Sequence, residues 1–301
     1  MNAPRHAYLL LVHNNAGQVR TLLSLLDDPR NDIYIHIDRK ASFGPDALND
    51  CCRHAAVHFI LPRIRVTWGG VSIMRATLAL LKAAAPGHYA YYHLLSGMDL
   101  PIKTQDEIHA FFDAHPDREF LKVWPVVPLQ TRRFKYYTLF PEGQHFFLTN
   151  FINGLVKGIL VSLNRQINRD IDFRFAAQWF SISDVFAQYV LTRETWLEQV
   201  FRHTSTCDEV FMPTLLWNSP YWGRLYDDSE HLEREEQPDP KRPGNFRLTD
   251  WTRGSSIRHP WTFVSADWEQ LMGSHCFWAR KFDMRVDPEI IDRISTFLKQ
   301  E

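Results

Sequence analysis

No Gly-x-Gly-x-x-Gly turn and no Walker-type loop occurs in the 301 residues of this chain. Dinucleotide dehydrogenases and P-loop nucleotidases thereby lose the backbone cradle that holds their phosphates. Cysteine is scarce. The four thiols, Cys51, Cys52, Cys207 and Cys276, show neither metal-ligand spacing nor a disulfide framework, and a reducing compartment suits them best. Long apolar runs are missing too: Ala7 to Val12, directly behind Met1-Asn2-Ala3-Pro4-Arg5-His6, is too short for a signal-peptide core or a membrane span. It reads as a first strand. Neither sign of charge dominates, with 34 Lys and Arg against 35 Asp and Glu, so no global field draws the chain to nucleic acid or an anionic membrane, and any phosphate affinity must be local.

Short apolar runs alternate with helical patterns through the first half, the signature of a parallel sheet covered by crossover helices. Strands are expected at Tyr8 to Val12, Ile33 to Ile37, Val57 to Ile60 and Tyr91 to Leu95, and helices at Gly17 to Leu26, Val71 to Ala84 and Gln105 to Ala114. Thr104, with Glu107 three residues on, provides a capping box for the last of these. In such sheets ligands bind beyond the carboxyl ends of the strands. Two strands end there in acids, Asp38 and Asp99. The middle of the chain is less regular. Arg132-Arg133-Phe134-Lys135-Tyr136-Tyr137 either lines an acceptor cleft or is a solvated surface loop, and a helix is expected from Gly154 to Asn168. The charged, proline-rich segment 233–244 reads as a loop placed to serve as a lid.

The C-terminal third sets cations inside aromatic runs: Phe246 to Trp251, then Arg258, then Phe277-Trp278-Ala279-Arg280-Lys281-Phe282-Asp283. Cations beside a tryptophan make poor core chemistry. They grip a sugar nucleotide well, because Arg and Lys neutralise phosphate while an indole face stacks on a pyranose ring. With Cys207-Asp208-Glu209 upstream, the pattern suggests glycosyl transfer.

The blocks Ile35-His36-Ile37-Asp38-Arg39-Lys40, His93 to Lys103 with its Ser-Gly-Met-Asp-Leu-Pro-Ile-Lys core, Trp179-Phe180-Ser181-Ile182, Asp208-Glu209 and Ala279 to Asp283 occur in this order over nearly the whole chain. Together they resemble the core-2/I-branching β-1,6-N-acetylglucosaminyltransferase family, which also contains peptide O-xylosyltransferases. The resemblance implies a single α/β domain of GT-A type, with a mostly parallel central sheet flanked by helices. Residues 1–125 would form the nucleotide-binding half and 126–301 the acceptor and catalytic half. It further implies a UDP-sugar donor, inversion at the anomeric carbon, a glycan or glycoconjugate acceptor, and no metal or other cofactor.

Carried over residue by residue, Glu209 matches the catalytic base, which takes the proton of the acceptor hydroxyl as that oxygen attacks. Apolar neighbours on a following helix, Phe211, Leu215, Leu216 and Trp217, would raise its proton affinity; an acidic pair favoured by a helix dipole is the alternative. Arg258 and Lys281 match the diphosphate-binding cations and would replace a metal ion by charge-assisted hydrogen bonds. Asp38 matches a nucleotide contact, with His13 and Asp99 in the same crevice, and Trp251 an aromatic of the acceptor site beside Asp208. The literal Asp170-Ile171-Asp172 lacks the strand end that a metal-binding motif needs and reads as a turn.

Where many members have Gly-Ser before the aromatic pair, this chain has Ala176-Ala177-Gln178. The stem, anchor and cysteine framework of secretory-pathway members are not expected here either. The expectation is a bacterial enzyme, cytoplasmic or peripheral to the inner face of the membrane, that moves N-acetylglucosamine or else xylose. A carbohydrate-binding protein without catalysis stays open, as does a glycoside hydrolase, although only one carboxylate has the setting that hydrolysis asks of two.

Overall fold

In a computed structural model, residues 4–124, 128–143, 146–226, 244–253 and 259–300 are described. The strands are β1 (His6–Val12), β2 (Asn31–Ile37), β3 (Ala56–Phe59), β4 (Tyr91–Ser96), β5 (Asp99–Pro101), β6 (Val123–Trp124), β7 (Phe175–Ala176), β8 (Ser181–Ser183), β9 (Arg247–Thr249) and β10 (Trp278–Arg280). The helices are α1 (Ala16–Leu25), α2 (Ser72–Ala84), α3 (Gln105–Ala114), α4 (Pro128–Lys135), α5 (Phe147–Ser162), α6 (Asp184–Thr192), α7 (Glu194–Phe201), α8 (Phe211–Trp217), α9 (Trp268–Met272) and α10 (Pro288–Gln300).

The central sheet runs β3-β2-β1-β4-β8, with the first four strands parallel and β8 antiparallel to β4. All residues of β1 are buried, as a strand covered on both faces requires. Its alternation divides them between two cores. Ala7, Leu9 and Leu11 face α2 and α6, whereas Tyr8, Leu10 and Val12 face α1, α3 and α10. The expected α/β class and mostly parallel sheet are therefore present. The two halves, 1–125 and 126–301, interlock. Strand β8 completes the central sheet, and β10 pairs with β5 on one side and β9 on the other.

The expected strands and first three helices appear within a few residues of their expected ends, and Thr104 and Glu107 form the capping box. Two expectations need correction. The helix placed at Gly154 to Asn168 is α5, which begins at Phe147 and stops at Ser162. Apolar residues every four positions from Phe147 onward carry it, and Gly154 lies inside it. Arg132 to Lys135 are not a loop but the last turn of α4, fixed by Phe134, whose buried ring packs 5.3 Å from that of Phe173. Segment 233–243, the expected lid, lies outside the described residues.

Candidate active site

Strands β1, β2 and β4 end side by side, since Val12 pairs with Ile37 and Leu11 with Ser96. His13, Asp38 and Gly97 consequently leave one edge of the sheet. The Asp38 N–H donates to the Val12 carbonyl at 2.7 Å, and the Gly97 N–H to that of Leu11 at 3.1 Å. The buried Asp38 carboxylate accepts the Lys40 N–H at 2.8 Å through Oδ1 and faces Lys40 Nζ at 3.7 Å through Oδ2. His13 is exposed at this edge, with Asp38, Lys40, Arg280 and Arg285 in electrostatic reach.

Asp99 has no exposure. Its Oδ2 accepts the Ser96 N–H at 2.6 Å and its Oδ1 faces Arg280 Nε at 3.5 Å, so it meets the crevice through that guanidinium and not directly. Arg280 in turn lies 4.1 Å from the centre of the Trp179 ring and, among the described residues, keeps Nη1 without a hydrogen-bond partner. Such a cation, held in orientation by a carboxylate and an indole, has a donor left over. Sequence reasoning placed Arg280 and Trp179 in blocks of interest but gave neither a role; the cation inside the aromatic run Phe277 to Asp283 was the signal.

Lys281 follows β10 and is half-buried. Among the described residues its ammonium has no ion-pair partner. The parallel register Thr249↔Arg280 makes Asp250-Trp251 and Lys281 leave the same end of their sheet, joined through Trp261, whose carbonyl accepts the Lys281 N–H at 3.4 Å and whose N–H reaches the Asp250 carbonyl at 2.7 Å. Trp251 is 58% exposed, so its indole face is available for stacking. Arg258 lies outside the described residues. Arg247, by contrast, is a core residue: it is buried, donates to carbonyls of Asn245 and Phe180, and covers the Trp278 ring at 4.4 Å.

Glu209 ends a single helical turn, Cys207–Glu209, ahead of α8. It is half-buried. Burial and then the neighbouring Asp208 carboxylate push it up to about 7, against the pull of Arg133. Asp208 is buried, its Oδ1 has no hydrogen-bond partner among the described residues, and burial pushes it up to about 6. The expected apolar setting is thus found, with Phe211, Leu215 and Leu216 buried on α8. Arg133 was part of a segment noticed in the sequence but not assigned to the base.

One loop links the Glu209 turn to the edge formed by β1, β2 and β4. At its start, Ile64 accepts the Arg39 N–H at 3.0 Å and the Val66 N–H reaches Asp38 at 3.4 Å. At its end the Gly69 carbonyl accepts the Thr206 N–H at 2.8 Å, and Cys207 Sγ lies 3.5 Å from the Gly70 carbonyl. Glycine is required in this turn. Gly69 has φ 70°, open to glycine at little cost, and a Cβ on Gly70 would stand 2.3 Å from the Glu142 carboxylate. Glu142 is itself held by the Ser72 N–H and hydroxyl, each at 2.7 Å. Asp172 of the Asp-x-Asp match is occupied by Arg174 at 2.5 Å and Trp217 Nε1 at 2.8 Å.

A family model for the core-2/I-branching enzyme matches residues 6–272. The chain belongs to that family. The matched span of this core-2/I-branching enzyme contains the edge formed by β1, β2 and β4 and the Glu209 turn. Similar curated proteins include xylosyltransferase 2 of Rattus norvegicus, 26% identical over 96% of this chain and 33% of that protein. Xylosyltransferase 1 of Homo sapiens is 24% identical over 99% of this chain and 31% of that protein. The core-2/I-branching chain thus spans about a third of the length of these relatives. Among solved structures, mouse xyloside xylosyltransferase 1 in its apo form is similar at TM-score 0.34 and 10% identity, over 78% of this chain and 94% of that one.

Proposed function

We propose that this core-2/I-branching enzyme transfers a sugar from a UDP-sugar to a hydroxyl of a glycan or glycoconjugate, with inversion and without a metal ion. The observation that carries the reading is Glu209, a half-buried carboxylate whose proton affinity lies near neutrality, where a general base works best. It takes the proton of the acceptor hydroxyl as that oxygen attacks the anomeric carbon, opposite the departing UDP. Lys281, with Arg258, meets the charge that grows on the diphosphate. Asp38 and His13 face the nucleoside, Asp99 contributes by orienting Arg280, and Trp251 stacks on the acceptor, with Asp208 tuning the base beside it.

Support for metal independence is that Asp172 is already occupied by Arg174 and Trp217, while the cation Lys281 stands at the strand end. The donor sugar is N-acetylglucosamine or xylose; the names of the similar xylosyltransferases favour the second. Four free thiols agree with a cytoplasmic setting, and no helix among the described residues is long and apolar enough to cross a membrane.

A panel of UDP-sugars, screened in excess EDTA for protection against thermal unfolding and then for turnover, tests this. The correct donor at a hundred times its dissociation constant should add about 2.7 kcal/mol of stability, and Lys281→Ala should lose most of that protection. Protection without turnover on any hydroxyl acceptor would favour a binding protein. Turnover abolished by EDTA and restored by manganese would contradict the metal-free diphosphate site.

A further inference from the structure

Helix α5 is 16 residues long, yet Asn153 is its only buried residue. Asn153 pins the helix by donating to the Phe140 carbonyl and accepting its N–H, both at 2.9 Å. Of the fourteen large hydrophobic side chains that stand exposed among the described residues, nine fall between Leu139 and Leu163. Phe147, Phe151, Leu155 and Ile159 recur every four residues with exposures of 88, 62, 57 and 51%, so they form one continuous stripe. A patch of this kind marks an interaction surface.

Its surroundings are basic. Between residues 128 and 172 the chain has six cations, Arg132, Arg133, Lys135, Lys157, Arg165 and Arg169, and three acids, Glu142, Asp170 and Asp172; the Glu142 carboxylate is committed to Ser72 and that of Asp172 to Arg174. The cations gather at one end of α5: the Ile167 N–H donates to the Lys135 carbonyl at 2.9 Å, folding the segment after α5 back onto α4, and Arg133 lies in electrostatic reach of Lys157. At 1.5 Å per residue the helix is about 24 Å long, short of the roughly 30 Å of a bilayer's hydrocarbon core. It can lie in a membrane surface but not cross it.

We propose that α5 docks the protein on an anionic lipid bilayer, with its Phe and Leu stripe in the interface and the basic groups of α4 and residues 165–169 against the headgroups. Gly154 and Gly158, with nothing within 4 Å of an added Cβ, would also let a second copy approach. A two-fold contact through this stripe brings like-charged rims together, however, and so is disfavoured.

Co-sedimentation of the whole chain with phosphatidylcholine vesicles, with and without phosphatidylglycerol, tests the assignment with no need of turnover. The chain should pellet with the anionic vesicles, less so as salt rises, and Phe151→Asp/Leu155→Asp should weaken binding by about tenfold or more while leaving the thermal transition in place. Arg165→Glu/Arg169→Glu should abolish the preference for anionic lipid. A chain that stays in the supernatant, or a stripe variant that pellets equally well, overturns the proposal. So does a concentration-dependent dimer, abolished by the stripe variant, in a chain that ignores vesicles.

Discussion

The proposed chemistry turns on two adjacent carboxyls at one short turn, Asp208 and Glu209, pushed up to about 6 and about 7. Two such groups titrate as a pair. A base is active when deprotonated, so transfer catalysed by Glu209 should fall about tenfold per pH unit below pH 7 and level off above it. Asp208→Asn removes the neighbouring negative charge that helps hold the Glu209 proton. The acid limb of kcat/KM against pH should therefore move to lower pH in that variant. An acid limb left in place by Asp208→Asn would separate Asp208 from the base. At this scale the sequence marked Glu209 and its apolar neighbours, because Phe211, Leu215 and Leu216 follow it at once. It could not mark the Arg280 cation on Trp179, since these residues lie a hundred positions apart and meet only through β10 and the loop before β8.

At the level of elements, legibility followed the strength of local signals. The strands of the central sheet are short, apolar and bounded by turns, and α3 announces itself through Thr104 and Glu107. There the Thr104 hydroxyl accepts the Glu107 N–H at 3.2 Å while the Glu107 carboxylate takes the Thr104 N–H at 2.8 Å. Thr104→Ala should cost about 0.5–2 kcal/mol in urea unfolding and leave donor affinity unchanged; a cost near zero would show that packing of Ile108 and Phe112 alone fixes the helix. Helix α5 was misplaced because its two glycines look like boundaries. They are interior positions that the helix accepts at a cost of about 1 kcal/mol each, and its apolar face meets no core that would make it read as amphipathic in the usual sense.

Across the whole molecule, residues 1–125 and 126–301 interlock in space. Arg280 and Lys281 come from the far end of the chain, yet stand at the edge formed by β1, β2 and β4. Gln18 of α1 donates to the Phe282 carbonyl at 2.9 Å, and the Phe282 N–H reaches Met98 at 2.8 Å. The loop from Ile64 to Gly70 then ties that edge to the turn that holds Glu209. Short-range patterns could give the class of the sheet but not this closure, which depends on contacts more than 250 residues apart. The central claim, that Glu209 is the base of a glycosyl transfer whose donor is gripped elsewhere, is tested most directly by comparing Glu209→Gln with the unaltered chain in UDP titration calorimetry and in transfer from the donor that protects it. The account predicts nearly equal UDP affinity and a transfer rate lower by about 10² to 10⁴; near-normal transfer by Glu209→Gln would contradict it.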